Sequence, residues 1–448
     1  MQSPEQARSL VEQIVDAATR AGATAADAAY LGSHSSSVEV RNGQLEGVDR
    51  SEGEKLGLRV FIGQQVASAS VSDFSDDSKT ALVERLIAMA KEATPDEYAG
   101  LAPKEMLATG APADLELYDG DEPAPEALRE RALAAEAAAL AVEGVTNGSG
   151  TGASASGGIF ALATSHGFSG VSRSTGHGCS VSVVAERDGA KERDYHWMSA
   201  RHLEDLDEAE AIGREAGERT VARLGPKPIK AGKYPVFYDP RVSVGLLSHL
   251  SGAISGASVA RRSSFLMEAM GQQVFAKGID IIDDPLRKRG LRSHAFDGEG
   301  LPVRQMKMIE DGVLKSWYAD SAAARQLGID PTGHAIRGPG GGPGAGPSNY
   351  YIAAGSRSPE EMMKDVGTAI LVTELIGQGV NGVTGDYSRG AAGFLIENGE
   401  IVHPVSEITV AGNLKDMFAS LEPASDLELK RGVDAPTILV PEMTVGSA

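Results

Sequence analysis

A long run, Thr146–Ser182, consists almost entirely of serine, threonine, glycine and alanine, with scattered valine, isoleucine and phenylalanine residues. Flexible linkers can have this composition, because small polar side chains bury too little apolar surface to offset chain entropy. Strands with small outward side chains are the alternative. The run and the residues that follow it contain short apolar segments and two-residue turns that favour strands, namely Ile159–Ala163, Val181–Val184, His166-Gly167 and Asp188-Gly189. We therefore expect an ordered sheet in this region.

The segments on either side of this run alternate between helical and strand periodicity, which predicts an α+β fold in three parts. Residues 1–98 are predicted to form an N-terminal α/β unit, and residues 99–225 a Ser/Gly-rich middle α+β unit. Residues 226–448 are predicted to form a C-terminal β-rich, barrel-like domain. The boundaries rest on a Pro-, Asp- and Gly-rich segment over 95–125 and on the sequence Pro226-Lys-Pro-Ile.

Local signals place several elements. Ser3, Pro4 and Gln6 form a capping-box pattern that begins a helix, and Gly22 ends it. Two short strands follow, and Asn42-Gly43 is a hairpin turn between strands. These two predicted strands are Ala25–Leu31 and Ser35–Arg41, and a further amphipathic helix is predicted over Leu203–Leu224.

Charge and cysteine content exclude several classes of function. The formal net charge of −20 opposes binding to phosphate backbones, so no nucleic-acid partner is expected. The single cysteine, Cys179, excludes an internal disulfide and a cysteine-rich zinc site, and it fits a reducing, cytoplasmic location. The first residues lack a signal-peptide pattern, and no apolar run approaches the ~18–20 residues of a membrane span. We expect a cytoplasmic protein without a membrane partner.

No familiar catalytic motif is present. The nine histidines never lie four or five residues apart, so no helix carries a His-Glu-x-x-His zinc pair, although distant histidines could still assemble a site. His177 and Cys179 lie two residues apart on a predicted strand and point to one face. The glycine-rich loop 338–347 lacks the Lys-Ser/Thr ending of a phosphate-binding loop, and no Gly-x-Ser-x-Gly nucleophile elbow occurs.

The segment Val242–Ile254 is predicted to form an amphipathic helix with one histidine. His249 lies beside the apolar stripe of Leu246, Leu250 and Ala253. Two interpretations remain open: a histidine at the edge of a core, or a polar residue that faces a groove or a partner.

Over nearly its full length the chain resembles the TldD/PmbA family, and specifically its PmbA (TldE) branch. The resemblance rests on long, unusual motifs. These are Arg41-Asn-Gly-Gln-Leu-Glu-Gly, Gly57-Leu-Arg-Val-Phe, Ser248-His-Leu-Ser-Gly-Ala-Ile-Ser-Gly, Arg262-Ser-Ser-Phe-Leu, Gly385-Asp-Tyr-Ser-Arg-Gly-Ala-Ala-Gly-Phe-Leu-Ile-Glu-Asn-Gly-Glu-Ile-Val-His-Pro and Val410-Ala-Gly-Asn-Leu-Lys-Asp-Met-Phe.

The resemblance implies a protease made of two chains. TldD-type members bind zinc through a His-Glu-x-x-x-His helix and a late cysteine, and they pair with a PmbA/TldE-type subunit to degrade or mature unfolded peptides. In this chain Ser248 stands for the first ligand, His249 for the glutamate and Ala253 for the second ligand. The late cysteine is absent from the tail after Asp434. The resemblance therefore implies no metal in this chain, and zinc in a TldD-type partner.

The remaining expectation concerns peptide binding. Glycine- and serine-rich strands let an extended backbone approach closely. Asp386, Tyr387, Ser388 and Arg389 are candidates for a peptide groove, and a family-typical turn inside the barrel is the alternative. Two other functions stay open at this point: a homodimeric peptide-binding protein that acts alone, and a hydrolase with a non-zinc site around Cys179 or His249.

Overall fold

The computed structural model describes residues 1–120 and 122–447 of the 448-residue chain. Its helices are α1 (Pro4–Arg20), α2 (Asp76–Glu92), α3 (Pro125–Leu140), α4 (Ala209–Ala222), α5 (Pro240–Ala253), α6 (Gly256–Ala260), α7 (Ser321–Leu327), α8 (Pro359–Asp365) and α9 (Leu414–Ser420). Among the described residues, no helix is both long and apolar enough to cross a bilayer.

The N-terminal half is organised by one antiparallel sheet in the order β3-β2-β1-β4-β5-β6. Its strands are β1 (Ala25–Arg41), β2 (Gln44–Ile62), β3 (Gln65–Val71), β4 (Val145–Thr164), β5 (Ser169–Arg187) and β6 (Ala190–Ala200). Because β1 pairs with β4, residues on both sides of the 98/99 boundary share this sheet. The division into units 1–98 and 99–225 stays a prediction about folding units.

Several local predictions are confirmed. Ser3 caps α1, and the Gln6 side chain returns the capping-box bond. Asn42 and Gly43 both have positive φ, as a type I′ hairpin turn requires. The Ser/Gly-rich run forms β4 and most of β5, so it is an ordered sheet.

Two local predictions were wrong. The strands predicted at Ala25–Leu31 and Ser35–Arg41 are one continuous strand, because β2 and β4 pair with it from both sides through the turn-like residues between them. The helix predicted over Leu203–Leu224 is a 3₁₀ turn at Leu203–Asp205 followed by α4, which begins only at Ala209.

The two faces of the sheet are unlike. Alternate residues of β1, β4 and β5 pack against α1–α4, as Ala161 does beneath Ile14 and Val181 beneath Ala216. The intervening residues lie on the other face. The C-terminal domain covers one end of this face and also contacts its β6 edge, where Arg431 lies over the ring of Trp197. The uncovered part, which we call the serine–glycine face, consists in β1, β4 and β5 mainly of Ser33, Ser35, Ser37, Gly152, Ser154, Ser156, Gly158, Ser174, Gly176, Gly178 and Ser180.

The C-terminal domain contains a closed barrel, so the barrel prediction is confirmed. Its strands follow the order β16-β15-β14-β7-β19, and β19 pairs back to β16. The strands of this domain are β7 (Gly232–Tyr238), β8 (Ile281–Asp283), β9 (Met306–Glu310), β10 (Val313–Leu314), β11 (Ala335–Ile336), β12 (Gly344–Ala345), β13 (Tyr350–Ile352), β14 (Thr368–Ile376), β15 (Asp386–Glu397), β16 (Glu400–Asn413), β17 (Glu422–Pro423), β18 (Val433–Asp434) and β19 (Ile438–Ser447). Helix α5 connects the barrel to the second sheet, β10-β9-β8-β13-β18.

Candidate functional site

Helix α5 carries the residues that the resemblance equates with a zinc helix, and its sequence explains where it begins and what it buries. Asp239 caps its first turn by accepting a hydrogen bond from the backbone N–H of Arg241 at 2.9 Å, and Pro240 takes the first helical position. Leu246, Leu250 and Ala253 then point into the barrel core, where each is at least 95% buried. The apolar stripe predicted from the sequence is therefore a packing surface.

The structure shows what contacts are made by the three residues that the resemblance equates with zinc-helix positions. Ser248 is exposed, and its hydroxyl donates to the carbonyl of Val244 at 3.1 Å within the same helix. Ala253 presents a methyl group to the core. His249 lies half-buried between them, with its ring edge-on to the ring of Tyr387 at a centroid distance of 6.0 Å and an interplanar angle of 79°.

The contact between His249 and Tyr387 joins one of the zinc-helix positions to one of the peptide-groove candidates, which lie far apart in the sequence. His249 Nε2 is buried and has no hydrogen-bond partner among the described residues. Burial lowers the pKa of His249, and the positive charge of Arg389 lowers it further. The imidazole is therefore neutral at pH 7. Burial raises the pKa of Tyr387, so its hydroxyl remains protonated.

The donor set at α5 does not fit a catalytic zinc ion. Such a site needs about three nitrogen, oxygen or sulfur ligands and one open position. Here the serine hydroxyl is bonded to its own helix, the alanine offers no lone pair, and a single imidazole remains. Across residues 1–120 and 122–447, no group of three His, Cys, Asp or Glu side chains is placed to hold a metal ion. We derive no chemical step through zinc in this chain.

The peptide-groove candidates lie at the start of β15, beside α5. Asp386 is exposed, and its carboxylate accepts bonds from Thr384 Oγ1 at 2.6 Å and Asn413 Nδ2 at 3.1 Å, which lower its pKa. Ser388 is exposed, whereas Tyr387 is 2% exposed. Arg389 is half-buried, and its Nε lies 3.4 Å from the carbonyl oxygen of Ile376. Their role in binding peptide stays a prediction.

The other candidates from the sequence lie away from α5. Cys179 and His177 point to the same face of β5, as predicted, and both are buried under the helices. Burial raises the pKa of the Cys179 thiol to about 11, so the nucleophilic thiolate is disfavoured at neutral pH. The glycine-rich loop lies against β2, where the carbonyl oxygen of Pro339 would be 1.9 Å from a Cβ atom added to Gly57.

The sequence did not reveal a polar cavity of about 460 Å³ between α4, the first turn of α5 and the segment 426–435. Three arginines line it, Arg219, Arg241 and Arg431, together with six acidic side chains. Arg219 Nη1 lies 3.4 Å from Asp239 Oδ2. Burial lowers the pKa of His196, also in the wall, to about 4. The sequence analysis began this helix at Val242 and identified neither its Asp239-Pro240-Arg241 start nor the distant partners of those residues.

Comparison with family models and with known proteins shows which family this chain resembles. Three family models match: PmbA/TldA metallopeptidase domain 1 over residues 26–90, the central domain over 118–224 and the C-terminal domain over 231–447. The chain is 39% identical to Metalloprotease PmbA of Escherichia coli O157:H7 over 98% of this chain and 97% of that protein. It is 36% identical to a Metalloprotease PmbA homolog of Haemophilus influenzae, over 98% and 96% of the two chains.

Solved structures agree with this assignment. A putative modulator of DNA gyrase from Bacteroides thetaiotaomicron superposes with a TM-score of 0.92 and 26% identity over 100% of both chains. TldE from Thermococcus kodakarensis superposes with a TM-score of 0.87 over 98% of this chain and 100% of that one, and at 22% identity it shows the fold alone. The family matches cover most of the sequence, and the chain belongs to the PmbA/TldD metallopeptidase family.

Proposed function

We propose that this chain is the metal-free, PmbA/TldE-type subunit of a two-chain metalloprotease. In this proposal a TldD-type partner binds the zinc and activates the water, while this chain completes the chamber that holds an unfolded peptide. The single observation that carries the proposal is the donor set of Ser248, His249 and Ala253 on α5. The family assignment supports a role in proteolysis, and the lack of zinc-ligand side chains at Ser248 and Ala253 supports the division of labour.

What this chain contributes is shape and position. Helix α5 is held in the core of the barrel by its leucines, so the helix that carries zinc ligands in a catalytic subunit serves here as part of the wall. The exposed side chains of Asp386 and Ser388 lie at the start of β15, on either side of Tyr387, which contacts His249 of this helix. A peptide in extended form would meet these side chains and the adjacent backbone. We place the complex in the cytoplasm, consistent with the single free cysteine.

The test is to purify the chain alone and together with a TldD-type partner, and to measure cleavage of an unfolded peptide. We expect cleavage only by the mixture, and loss of cleavage after chelation of the partner's metal. The matched variant is His249→Ala, which should leave cleavage by the mixture largely intact, because His249 is a packing residue in this account. Cleavage by the chain alone, abolished by His249→Ala, would contradict the proposal.

A further inference from the structure

The polar cavity between α4, the first turn of α5 and the segment 426–435 lies where the N-terminal half of the chain meets the C-terminal domain. Its volume of about 460 Å³ is typical of sites that bind small molecules. Charged side chains of both signs line it, together with the apolar side chains of Ile212, Val244 and Ala435. Arg241, in its wall, precedes His249 by about 12 Å along the helix axis, so the cavity is separate from the candidate site described above.

Three guanidinium groups gather around this cavity. Arg219 belongs to α4, Arg241 to α5 and Arg431 to the segment 426–435. Burial lowers the pKa of His196 in the wall, and the positive charges of all three arginines lower it further. Because the effect of a charge on a pKa weakens with distance, the three guanidinium groups must lie near the same imidazole. Such a cluster favours a ligand with a carboxylate group.

One of the three arginines has no acidic partner. Arg241 Nη1 donates to Asp194 Oδ1 at 2.9 Å, and Arg219 Nε donates to Glu215. Within the described part of the chain, the guanidinium group of Arg431 forms neither an ion pair nor a hydrogen bond. Burial also lowers the pKa of Arg431, which shows that water solvates its charge poorly. A partly buried cation without a partner is costly, and a ligand carboxylate would offset that cost.

The carboxylates that act on Arg431 from a distance are bound by other groups. Asp434 accepts the backbone N–H groups of residues 430–432 at 2.7–3.2 Å. Asp239 caps α5 and accepts from Arg219 Nη1 at 3.4 Å. Both carboxylates raise the pKa of Arg431, yet neither forms an ion pair with it. The guanidinium group therefore remains available to a ligand.

Negative charge is in surplus elsewhere in the wall. Lys430 Nζ lies 3.2 Å from Glu428 Oε2 and 3.5 Å from Asp207 Oδ2, so one ammonium group serves two carboxylates. A second ammonium group, supplied by a ligand, would complete this cluster. Six acidic side chains line the cavity against three arginines and one lysine, which disfavours a ligand with several negative charges, such as a nucleotide.

We propose that the polar cavity binds a small zwitterion with an apolar side chain, which is a free amino acid or a dipeptide. Its carboxylate binds Arg431, its ammonium group binds Asp207 and Glu428, and its side chain contacts Ile212 and Val244. The bound molecule contacts both α4 and the C-terminal domain, so it links the two parts of the chain. Amino acids and dipeptides are also products of proteolysis, and only this connection rests on the proposed function.

The experiment is calorimetric titration of the full chain at pH 7 with leucine and with alanyl-leucine. We expect one molecule of at least one of these probes to bind per chain and to raise the temperature of thermal unfolding. The C-terminal amide of the bound probe lacks the carboxylate and should bind at least ~10-fold more weakly. Its N-acetyl derivative lacks the ammonium group and should bind more weakly by a similar factor.

Substitutions test which side chain binds the carboxylate. Arg431→Gln should weaken binding at least ~10-fold, whereas Arg431→Lys retains the charge without the planar fork and should have an intermediate effect. Arg85→Gln is the matched control, because Arg85 is exposed on α2 and the substitution changes the net charge equally. Circular dichroism checks that each variant remains folded.

Three results would overturn the proposal. The first is a folded wild type that gives neither heat nor a rise in unfolding temperature with millimolar concentrations of both probes. The second is equal binding of a probe and its amide, or unchanged binding by folded Arg431→Gln. The third is inorganic phosphate that binds as tightly as the dipeptide, since the cavity would then be a general anion site. The measurement needs no catalytic partner and no cleavage, so its failure is distinct from failure of the proposed function.

Discussion

Helix α5 and the serine–glycine face differ in what their side chains contact. On α5 the leucines and Ala253 are buried in the barrel core, and even the exposed Ser248 bonds to its own helix. On the serine–glycine face, small side chains and glycines pack only with one another beneath an uncovered surface. The comparison teaches that one side of α5 is held in place by burial in the core, whereas the serine–glycine face contributes few long-range contacts to the monomer. Each region predicts a different consequence of substitution.

The largest expected effect is on α5. Leu250 is 0% exposed, and Leu250→Ala removes its contacts in the barrel core. We expect the free energy of unfolding to fall by about 2–5 kcal/mol, because a cavity remains where the side chain was. Ser248→Ala, two positions away on the exposed side, should change it by less than ~0.5 kcal/mol. Denaturant unfolding measures both, and equal effects would remove the distinction between the two sides of α5.

An effect of intermediate size on the free energy of unfolding, which depends on pH, is expected where the C-terminal domain covers one end of the serine–glycine face. Glu299 is 4% exposed beneath the C-terminal domain, and burial raises its pKa to about 7 from 4.5. Because the folded-state pKa is raised, the unfolded chain ionises first. Glu299 therefore costs no stability below pH 4.5, and its cost grows as the pH rises towards 7.

Glu299→Gln removes this ionisation while it retains an acceptor for the Ser321 hydroxyl, which now donates to Glu299 Oε2 at 2.7 Å. Relative to the wild type, the variant should gain up to ~3 kcal/mol between pH 4.5 and pH 8. Unfolding measured at both pH values checks the difference between the two proteins, which cancels the contributions of the other carboxylates. A constant difference across this range would show that Glu299 does not titrate as described.

The smallest effects are expected when serine is replaced by alanine once on α5 and once on the serine–glycine face. Ser243 of α5 is 0% exposed and donates to the carbonyl of Pro436 at 2.9 Å, so Ser243→Ala should cost about 1–3 kcal/mol by leaving that oxygen unsatisfied. Ser154 lies on the serine–glycine face, and Ser154→Ala should stay within ~0.5 kcal/mol. Thermal unfolding of the two variants at low protein concentration makes the comparison. A large loss for Ser154→Ala would show that the face stabilises the monomer.

Much of the fold followed from short-range signals. Ser3 and Gln6 predicted the start of α1, and Asn42-Gly43 predicted a hairpin. Short apolar segments and two-residue turns predicted strands within the Ser/Gly-rich run. The continuity of β1 was not predictable, because pairing on both sides overrides the turn-like preference of Gly32 and Ser33.

The sequence predicted which residues belong to the candidate site, but not how they are arranged in space. Ser248, His249 and Ala253 were identified from the sequence, and so was Tyr387. Their proximity depends on α5 packing against β15, which connects residues far apart in the chain. The lowered pKa of His249 has the same origin, since burial and Arg389 act on it only in the folded structure.

The central claim is that α5 of this chain cannot hold a catalytic metal ion, and metal content measures this most directly. The chain, purified alone and dialysed against buffer with a micromolar excess of zinc, is analysed by elemental mass spectrometry. The account predicts far less than one zinc per chain, and one zinc per complex once a TldD-type partner is bound. One tightly held zinc per chain in the protein alone, lost on His249→Ala, would contradict it.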